Sequence, residues 1–315
     1  MHIVFMGTPE FSVPALEYLV RSEYKVVGVY TRPDRPTGRG RTLEQSPVKK
    51  AALGYGLEVF QPVKLKDSGE VQRLAALKPD LILVTAFGQI LPRSILDIPP
   101  FGCLNVHPSL LPRYRGATPI PSAILGGDKE TGVTIMLMDK GMDTGPIVSQ
   151  IIVGIEPQDT TGSLSKRLAQ AGVRLLAETL PLWFDGSLKL QPQDGSQATY
   201  TAPITKENGV INWQMPAGDI SRRVRAFCPW PGCYTWWQGK LLKILEAVAL
   251  PGERDLSPGK VIALAPGQPA VVGVETGDGI LGLLCVQLEG KRALTAAEFL
   301  LGQRTFVGST LGKKS

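Results

Sequence analysis

The sequence predicts an α/β domain with a doubly wound, mostly parallel sheet, followed by a small OB-like β-barrel. Three observations carry that expectation. Strand and helix patterns alternate along the first half of the chain, as in a sheet covered by helices. Residues 81–86 form a continuous apolar run of the kind that a parallel sheet buries on both faces. Beyond a Gly/Pro-rich stretch, short strand patterns recur between Gly/Pro turns, which suits a small barrel.

Each element has its own reason. Residues 3–6 are a short apolar strand ending at Gly7. Residues 9–21 read as a helix, because Phe11, Ala15, Leu16, Leu19 and Val20 share one face. Residues 25–31 are the next strand. Ser46 followed by Pro47 is a cap-and-proline start for a helix over 49–54. A short strand follows at 58–60, and Ser68 is placed to cap a helix over 69–78. Pro79-Asp80 introduces the apolar run. Residues 102–107 and 133–138 are further strands, and Asp159 is placed to cap a long helix over 161–184. Residues 186–206 change character: Gly186, Pro192, Gly195 and Pro203 stand among Gln, Ser and Asp, which reads as a linker. Then come a helix over 217–227, strands at 233–237, 241–250, 259–264, 270–275 and 280–288, a helix over 295–300, and a Gly/Lys tail expected to fray. The expected division is a first domain over 1–189, a linker over 190–206 and a second domain over 207–315.

The chain has 315 residues, 43% hydrophobic and 20% charged, which supports ordinary cores and excludes a disordered chain. It has only two histidines, His2 and His107. That argues against imidazole-based metal sites, so no metal is expected. It also makes His107 the leading side chain for general-base work near neutral pH. Cys103, Cys228, Cys233 and Cys285 form no Cys-x-x-Cys pair and read as neutral thiols in a reducing compartment. The apolar runs are too short to span a membrane, and a strand-like run begins at residue 2, where a leader would lie. A cytoplasmic protein without membrane attachment is the expectation.

The net charge of +6 is uneven. Residues 32–50 hold six basic against two acidic side chains, and residues 206–315 hold 13 against nine, so each region carries +4 and the remainder −2. Two basic regions on a mildly acidic body suit a large polyanion held at separate points. No Gly-x-Gly-x-x-Gly follows the first strand, and neither a P-loop nor a Gly-x-Ser-x-Gly elbow occurs, so dinucleotide, ATP and serine-hydrolase chemistry lack support.

The informative stretch runs from Asn105 through Val106, His107, Pro108, Ser109, Leu110, Leu111, Pro112, Arg113, Tyr114 and Arg115 to Gly116. It starts at the end of an apolar strand, where open α/β sheets place active sites. Asn105 and His107 are two apart and face the same way on a strand. Asp143 follows a later strand on a loop flanked by Gly141 and Gly145. An amide donor, an imidazole and a carboxylate together suit acyl transfer to an amine. Asn105 can donate to a developing oxyanion, an effect of about 3–4 kcal/mol in a known case. His107 can take or relay the amine's proton. Asp143 can orient His107, hold its charged form, or order a water in the proton path.

The string Leu104-Asn105-Val106-His107-Pro108-Ser109-Leu110-Leu111-Pro112 resembles the signature of the 10-formyltetrahydrofolate-dependent formyltransferases. Residues 131–135 and 138–145 resemble the second signature of that family. Three further features resemble the branch that acts on methionyl-tRNA: Phe5-Met6-Gly7-Thr8-Pro9-Glu10-Phe11, the basic loop from Arg32 to Arg41, and Phe227-Cys228-Pro229-Trp230-Pro231-Gly232. The resemblance spans essentially the whole chain without departure at the catalytic positions. It implies a Rossmann-like catalytic domain with Asn105, His107 and Asp143 as the catalytic trio. It implies 10-formyltetrahydrofolate as co-substrate, with Ser109, Leu110, Leu111 and Pro112 lining its site and Phe87, Gln89, Ile90 and Leu91 in the segment that meets the pterin. It implies initiator methionyl-tRNA as acceptor in translation initiation, gripped by Arg35, Arg39 and Arg41 of the basic loop, and a monomeric enzyme. Arg222 and Arg223 fall on the helix before the barrel, with Trp230, Trp236 and Trp237 close behind, and extend the expected tRNA surface. The rival expectations are a formyltransferase for a nucleotide-sugar amine and a non-catalytic RNA-binding relative.

Arg39 stands between Gly38 and Gly40, where it can reach a phosphate. Arg39→Ala is expected to raise KM for tRNA and to shrink the salt dependence of binding, with little effect on folate. An unchanged salt slope would count against the loop.

Overall fold

The computed structural model describes residues 1–37, 42–252 and 257–312. The chain forms two compact units. One comprises Met1–Pro119, Lys129–Gly154 and Ser165–Ala202; the other comprises Ile120–Asp128, Ile155–Leu164 and the chain from Pro203 onward.

The first unit is built on a seven-stranded sheet. Its strands are β1 (His2–Gly7), β2 (Lys25–Tyr30), β3 (Val59–Phe60), β4 (Leu81–Thr85), β5 (Cys103–His107), β6 (Glu130–Leu137) and β7 (Ile147–Gly154). Their spatial order is β7-β6-β5-β4-β1-β2-β3. The pairs from β3 across to β5 are parallel. β6 and β7 run antiparallel to their neighbours. The alternation of strand and helix does not foresee β7, because an antiparallel hairpin needs no crossover helix. Helices α1 (Val13–Arg21), α2 (Pro47–Gly54), α3 (Ser68–Ala76), α4 (Arg93–Leu96), α5 (Pro119–Gly126) and α6 (Thr161–Phe184) punctuate the strands.

Burial follows the sequence pattern. β4 is buried at all five positions, and α1 buries Ala15, Leu16 and Leu19. Val4, Met6, Tyr30, Leu74, Ile82 and Val84 share one core cluster, in which Tyr30 stacks on Phe60 with ring centroids 4.8 Å apart. Ser46 caps α2 as expected, accepting the Lys49 N–H at 3.0 Å. Two expected caps shift by one residue. Asp67 rather than Ser68 precedes α3. Thr160 rather than Asp159 accepts the Ser163 N–H, at 3.1 Å, while Asp159 accepts from the Glu156 N–H and the Ser163 hydroxyl.

The second unit holds an antiparallel sheet of β8 (Cys233–Trp237), β9 (Lys240–Leu250), β10 (Val261–Ala263), β11 (Val272–Glu275), β12 (Ile280–Leu288) and β13 (Leu294–Thr295). The order is β8-β9-β12-β11-β10, with β13 on β12. It curls into an OB-like half-barrel. α7 (Ala217–Ala226) buries Ile220 and Val224. α8 (Ala296–Gly302) starts at a capping box between Thr295 and Glu298. The tail expected to fray does something else over residues 308–312. Gly308 and Ser309 bond Val261 at 2.9 Å each, and Gly312 exchanges two bonds with Trp236 at 3.1 and 3.2 Å. One segment thus occupies the open edges of β10 and β8, whose unpaired backbone groups would otherwise need water or a partner.

Trp236 and Trp237 point to opposite faces, as adjacent strand residues must. Trp237 is buried and meets Phe306 and Phe299 edge-on, at centroid distances of 5.2 and 6.0 Å. Burial pushes the thiols of Cys103 and Cys233 up to about 12, so both are protonated at neutral pH. Among the described residues, no helix is long and apolar enough to cross a membrane.

Phe306 is fully buried against two other rings. Phe306→Ala is expected to destabilise the second unit by about 3–5 kcal/mol in denaturant unfolding. A loss below about 1 kcal/mol would contradict this account of its core.

Candidate active site

A cavity of about 510 Å³ opens in the first unit at the carboxyl ends of β1, β4 and β5. A doubly wound sheet places ligands there, beside the point where strand order reverses. Phe87, Ile90, Leu91, Met136 and Met138 supply apolar lining, and Asn105, His107 and Asp143 supply polar groups. The three expected catalytic residues therefore share one cavity.

β5 delivers Asn105 and His107 from the same face, and both are buried. His107 Nε2 lies 3.0 Å from the Tyr114 carbonyl oxygen. A carbonyl only accepts, so the hydrogen bond assigns the proton to Nε2 and leaves Nδ1 with the lone pair. Nδ1 lies 3.7 Å from Asp143 Oδ2. The carboxylate has two further partners: Oδ1 accepts from Asn105 Nδ2 at 3.3 Å and Oδ2 from the Gly116 N–H at 2.8 Å. Burial pushes the His107 imidazole below its ordinary value; the Asp143 carboxylate and the Tyr114 carbonyl pull it upward without cancelling that effect.

The loops around the trio are held in restricted conformations. Asp143 has φ 54° and Tyr114 has φ 59°, in the left-handed region, at about 1–3 kcal/mol each. Gly145 allows the chain to pass close to β6: a Cβ there would lie 1.8 Å from the Leu137 carbonyl oxygen.

The other expected site residues divide. Phe87, Gln89, Ile90 and Leu91 line the cavity. The Gln89 side chain is engaged elsewhere, donating to the Pro62 carbonyl and accepting the Leu65 N–H at 3.1 Å each. Ser109, Leu110, Leu111 and Pro112 are not part of the cavity lining, which in that stretch stops at Pro108. They form a braced turn instead. Ser109 Oγ donates to the Arg113 carbonyl at 2.6 Å. Gln150 Nε2 holds the Leu111 carbonyl at 2.9 Å, and Leu111 packs with Met136 and Ile147.

Of the expected tRNA contacts, Arg35, Arg222 and Arg223 are not among the residues that line this cavity. Arg35 is exposed on a short strand, Arg35–Thr37, that pairs with Thr42–Glu44. Arg39 and Arg41 lie outside the described residues. Lys49, counted among the loop's cations, is bound to Asp34 at 2.6 Å and Gln61 at 2.7 Å. On α7, Arg222 pairs with Asp219. Arg223 donates to the Asn208 carbonyl at 2.6 Å and lies over the Phe227 ring at 5.0 Å. Sequence reasoning passed over Gln193, whose amide binds the backbone of the Asp143 loop. It sits in a stretch with no periodicity and no motif.

The formyl transferase family matches residues 1–180, and the formyl transferase C-terminal domain matches residues 203–304. The methionyl-tRNA formyltransferase of Chloroflexus aggregans is 48% identical over 96% of this chain and 97% of its own. That of Dehalococcoides mccartyi (strain 195) is 48% identical over 99% of both chains. Among solved structures, an N-formyltransferase from Helicobacter canadensis, in complex with folinic acid and dTDP-3-aminofucose, is similar with a TM-score of 0.65. It is 19% identical and covers 89% of this chain and 98% of its own, a likeness of fold alone. The extent of the family match and the near-complete alignment at 48% identity together place the chain: it belongs to the formyl transferase family, in the group of the methionyl-tRNA formyltransferases.

Proposed function

We propose that the chain transfers a formyl group from 10-formyltetrahydrofolate to the α-amine of initiator methionyl-tRNA, with Asn105, His107 and Asp143 as catalytic residues. One observation carries the reading: an imidazole whose Nδ1 keeps its lone pair and faces a carboxylate within a cavity large enough for a cofactor-sized molecule. The lining fits a folate, with apolar side chains and the irregular backbone around Ala86 and Gly88, both at positive φ. The bound folate would supply an activated formyl group. Phe87, Ile90 and Leu91 would hold its ring system.

The protein's part is proton handling and charge stabilisation. The attacking amine must lose a proton as its nitrogen bonds to the formyl carbon, and His107 Nδ1 receives it. Asp143 stabilises the imidazolium so formed. Asn105 gives one N–H to Asp143 and keeps a second for the formyl oxygen, on which negative charge grows. The imidazolium can then return the proton to the departing folate nitrogen. The domain over 1–189 carries this chemistry and 207–315 bind tRNA, with 190–206 lying between them in sequence. Arg35, Arg39 and Arg41 of the basic loop and Arg222 and Arg223 of α7 serve as phosphate contacts. The reaction is assigned to the cytoplasm as part of this reading.

The deciding experiment is a folate-dependent formylation assay offering charged initiator tRNA and, in parallel, a nucleotide-sugar amine. Formylation of the tRNA alone is expected, and His107→Ala should lower kcat by at least about 100-fold while tRNA binding persists. Preference for the sugar amine, or near-normal turnover by His107→Ala, would sink the reading. The pH profile carries the sign of the imidazole shift. His107 works as the neutral base and its pKa lies below the ordinary value. Activity should therefore hold as pH falls through about 6.5 and decline only at lower pH. An acidic limb above about 6.5 would contradict a buried neutral base.

A further inference from the structure

Gln193 belongs to the stretch read from sequence as a linker, yet its side chain makes four hydrogen bonds at the active site. Nε2 donates to the Asp143 carbonyl at 2.9 Å and to the Gly145 carbonyl at 2.7 Å. Oε1 accepts from Arg115 Nε at 3.1 Å and Nη2 at 2.7 Å. Carbonyls only accept and a guanidinium only donates, so these partners permit one orientation of the amide.

The two carbonyls are that of Asp143 itself, whose backbone is left-handed, and that of Gly145 two residues on. A conformation of that cost persists only when its surroundings over-determine it. Arg115 works on the other side of the same carboxylate. It is buried, donates Nη1 to the Tyr200 hydroxyl at 3.1 Å and is followed by Gly116, whose N–H binds Asp143 Oδ2. The neighbouring chain is braced as well: the Arg115 N–H bonds the Thr199 carbonyl at 2.8 Å, and Tyr200–Thr201 pairs with Arg115–Gly116. A Cβ on Gly116 would lie 2.8 Å from the Thr201 carbonyl oxygen, at φ +106°, so that approach requires glycine. Residues 193–201 therefore touch both loops that meet at the carboxylate.

We propose that Gln193 is a positioning residue for Asp143. It holds the backbone at and just after the left-handed residue, and through Arg115 it fixes the strand that presents the Gly116 N–H. The carboxylate is thereby kept between Asn105 Nδ2 and His107 Nδ1. The inference rests on the catalytic role proposed for Asp143.

The test uses the full-length enzyme and four variants: Gln193→Met, Gln193→Glu, Asp143→Asn and the double variant Gln193→Met/Asp143→Asn. Steady-state formylation and thermal midpoints are measured for each. Gln193→Met is expected to lower kcat by about 10–100-fold, the scale of a catalytic group misplaced by about 1 Å. KM for both substrates should stay within about threefold. Gln193→Glu still satisfies Arg115 and should fold, with a thermal midpoint below wild type because a carboxylate oxygen then faces two carbonyls. Its carboxylate cannot donate to the two carbonyls, so kcat should stay low. The double variant should be no slower than Asp143→Asn, because Gln193 acts through Asp143.

The proposal is overturned if Gln193→Met keeps kcat within about twofold of wild type. Recovery of kcat in Gln193→Glu would overturn it too, since that would mean Gln193 serves only to satisfy Arg115. Additive losses in the double variant have the same consequence. Should Gln193→Met fail to fold, Gln193→Glu decides alone. A slow Asp143→Asn beside a full-speed Gln193→Met sinks this proposal and leaves the reading of Asp143 standing. Near-normal turnover by Asp143→Asn sinks both.

Discussion

The Asp143 carboxylate is where three distant parts of the first unit meet. It takes an N–H from Asn105 on β5 and an N–H from Gly116 in the loop beyond β5, and it faces the ring of His107. The carboxylate is largely withdrawn from water, and these hydrogen bonds replace the solvation it loses. The same bonds that make the anion tolerable fix its position relative to the imidazole. Folding requirements and the proposed catalytic geometry coincide at this group.

The imidazole imposes a second constraint. A buried ring nitrogen without a partner costs about 1–3 kcal/mol. The Tyr114 carbonyl removes that cost at Nε2 and selects the tautomer in the same step. It can do so only because the chain turns sharply after Pro112, with Tyr114 in the left-handed region. That turn is braced from below by Thr134 and Gln150 and from the side by Thr199, whose hydroxyl accepts the Tyr114 N–H at 2.8 Å. The stretch Ser109–Pro112 earns its prominence in the sequence as the frame of this turn, and its side chains leave the cavity to the β4 loop and to the methionines of β6 and its loop.

Charge counting gains detail from the structure. The +4 assigned to residues 32–50 includes Lys49, which is tied to Asp34 and Gln61 at the root of the loop. Gln61 also bonds the Arg32 carbonyl at 2.8 Å. One cation of the six is thus an anchor; of the others, Arg35 and Lys50 are exposed, Arg32 is half-buried, and Arg39 and Arg41 lie outside the described residues. On α7, Arg222 and Arg223 have partners already, so a phosphate bound there as proposed would compete with internal bonds.

By itself the sequence determined the architecture and singled out three side chains that the fold brings into one cavity. Periodicity and apolar runs located the parallel strands, because burial on both faces of a sheet demands such runs. The two-residue spacing of Asn105 and His107 placed them on one face, because strand geometry leaves no alternative. Only the tertiary structure decided how the site is held. The antiparallel return of β7, the closure of the half-barrel by residues 308–312, the caps at Asp67 and Thr160, and the bond from Gln193 to the Asp143 loop all depend on which backbone groups lie unpaired once the chain has folded. Those groups come from segments far apart in sequence, and their pairing leaves no local periodicity to read.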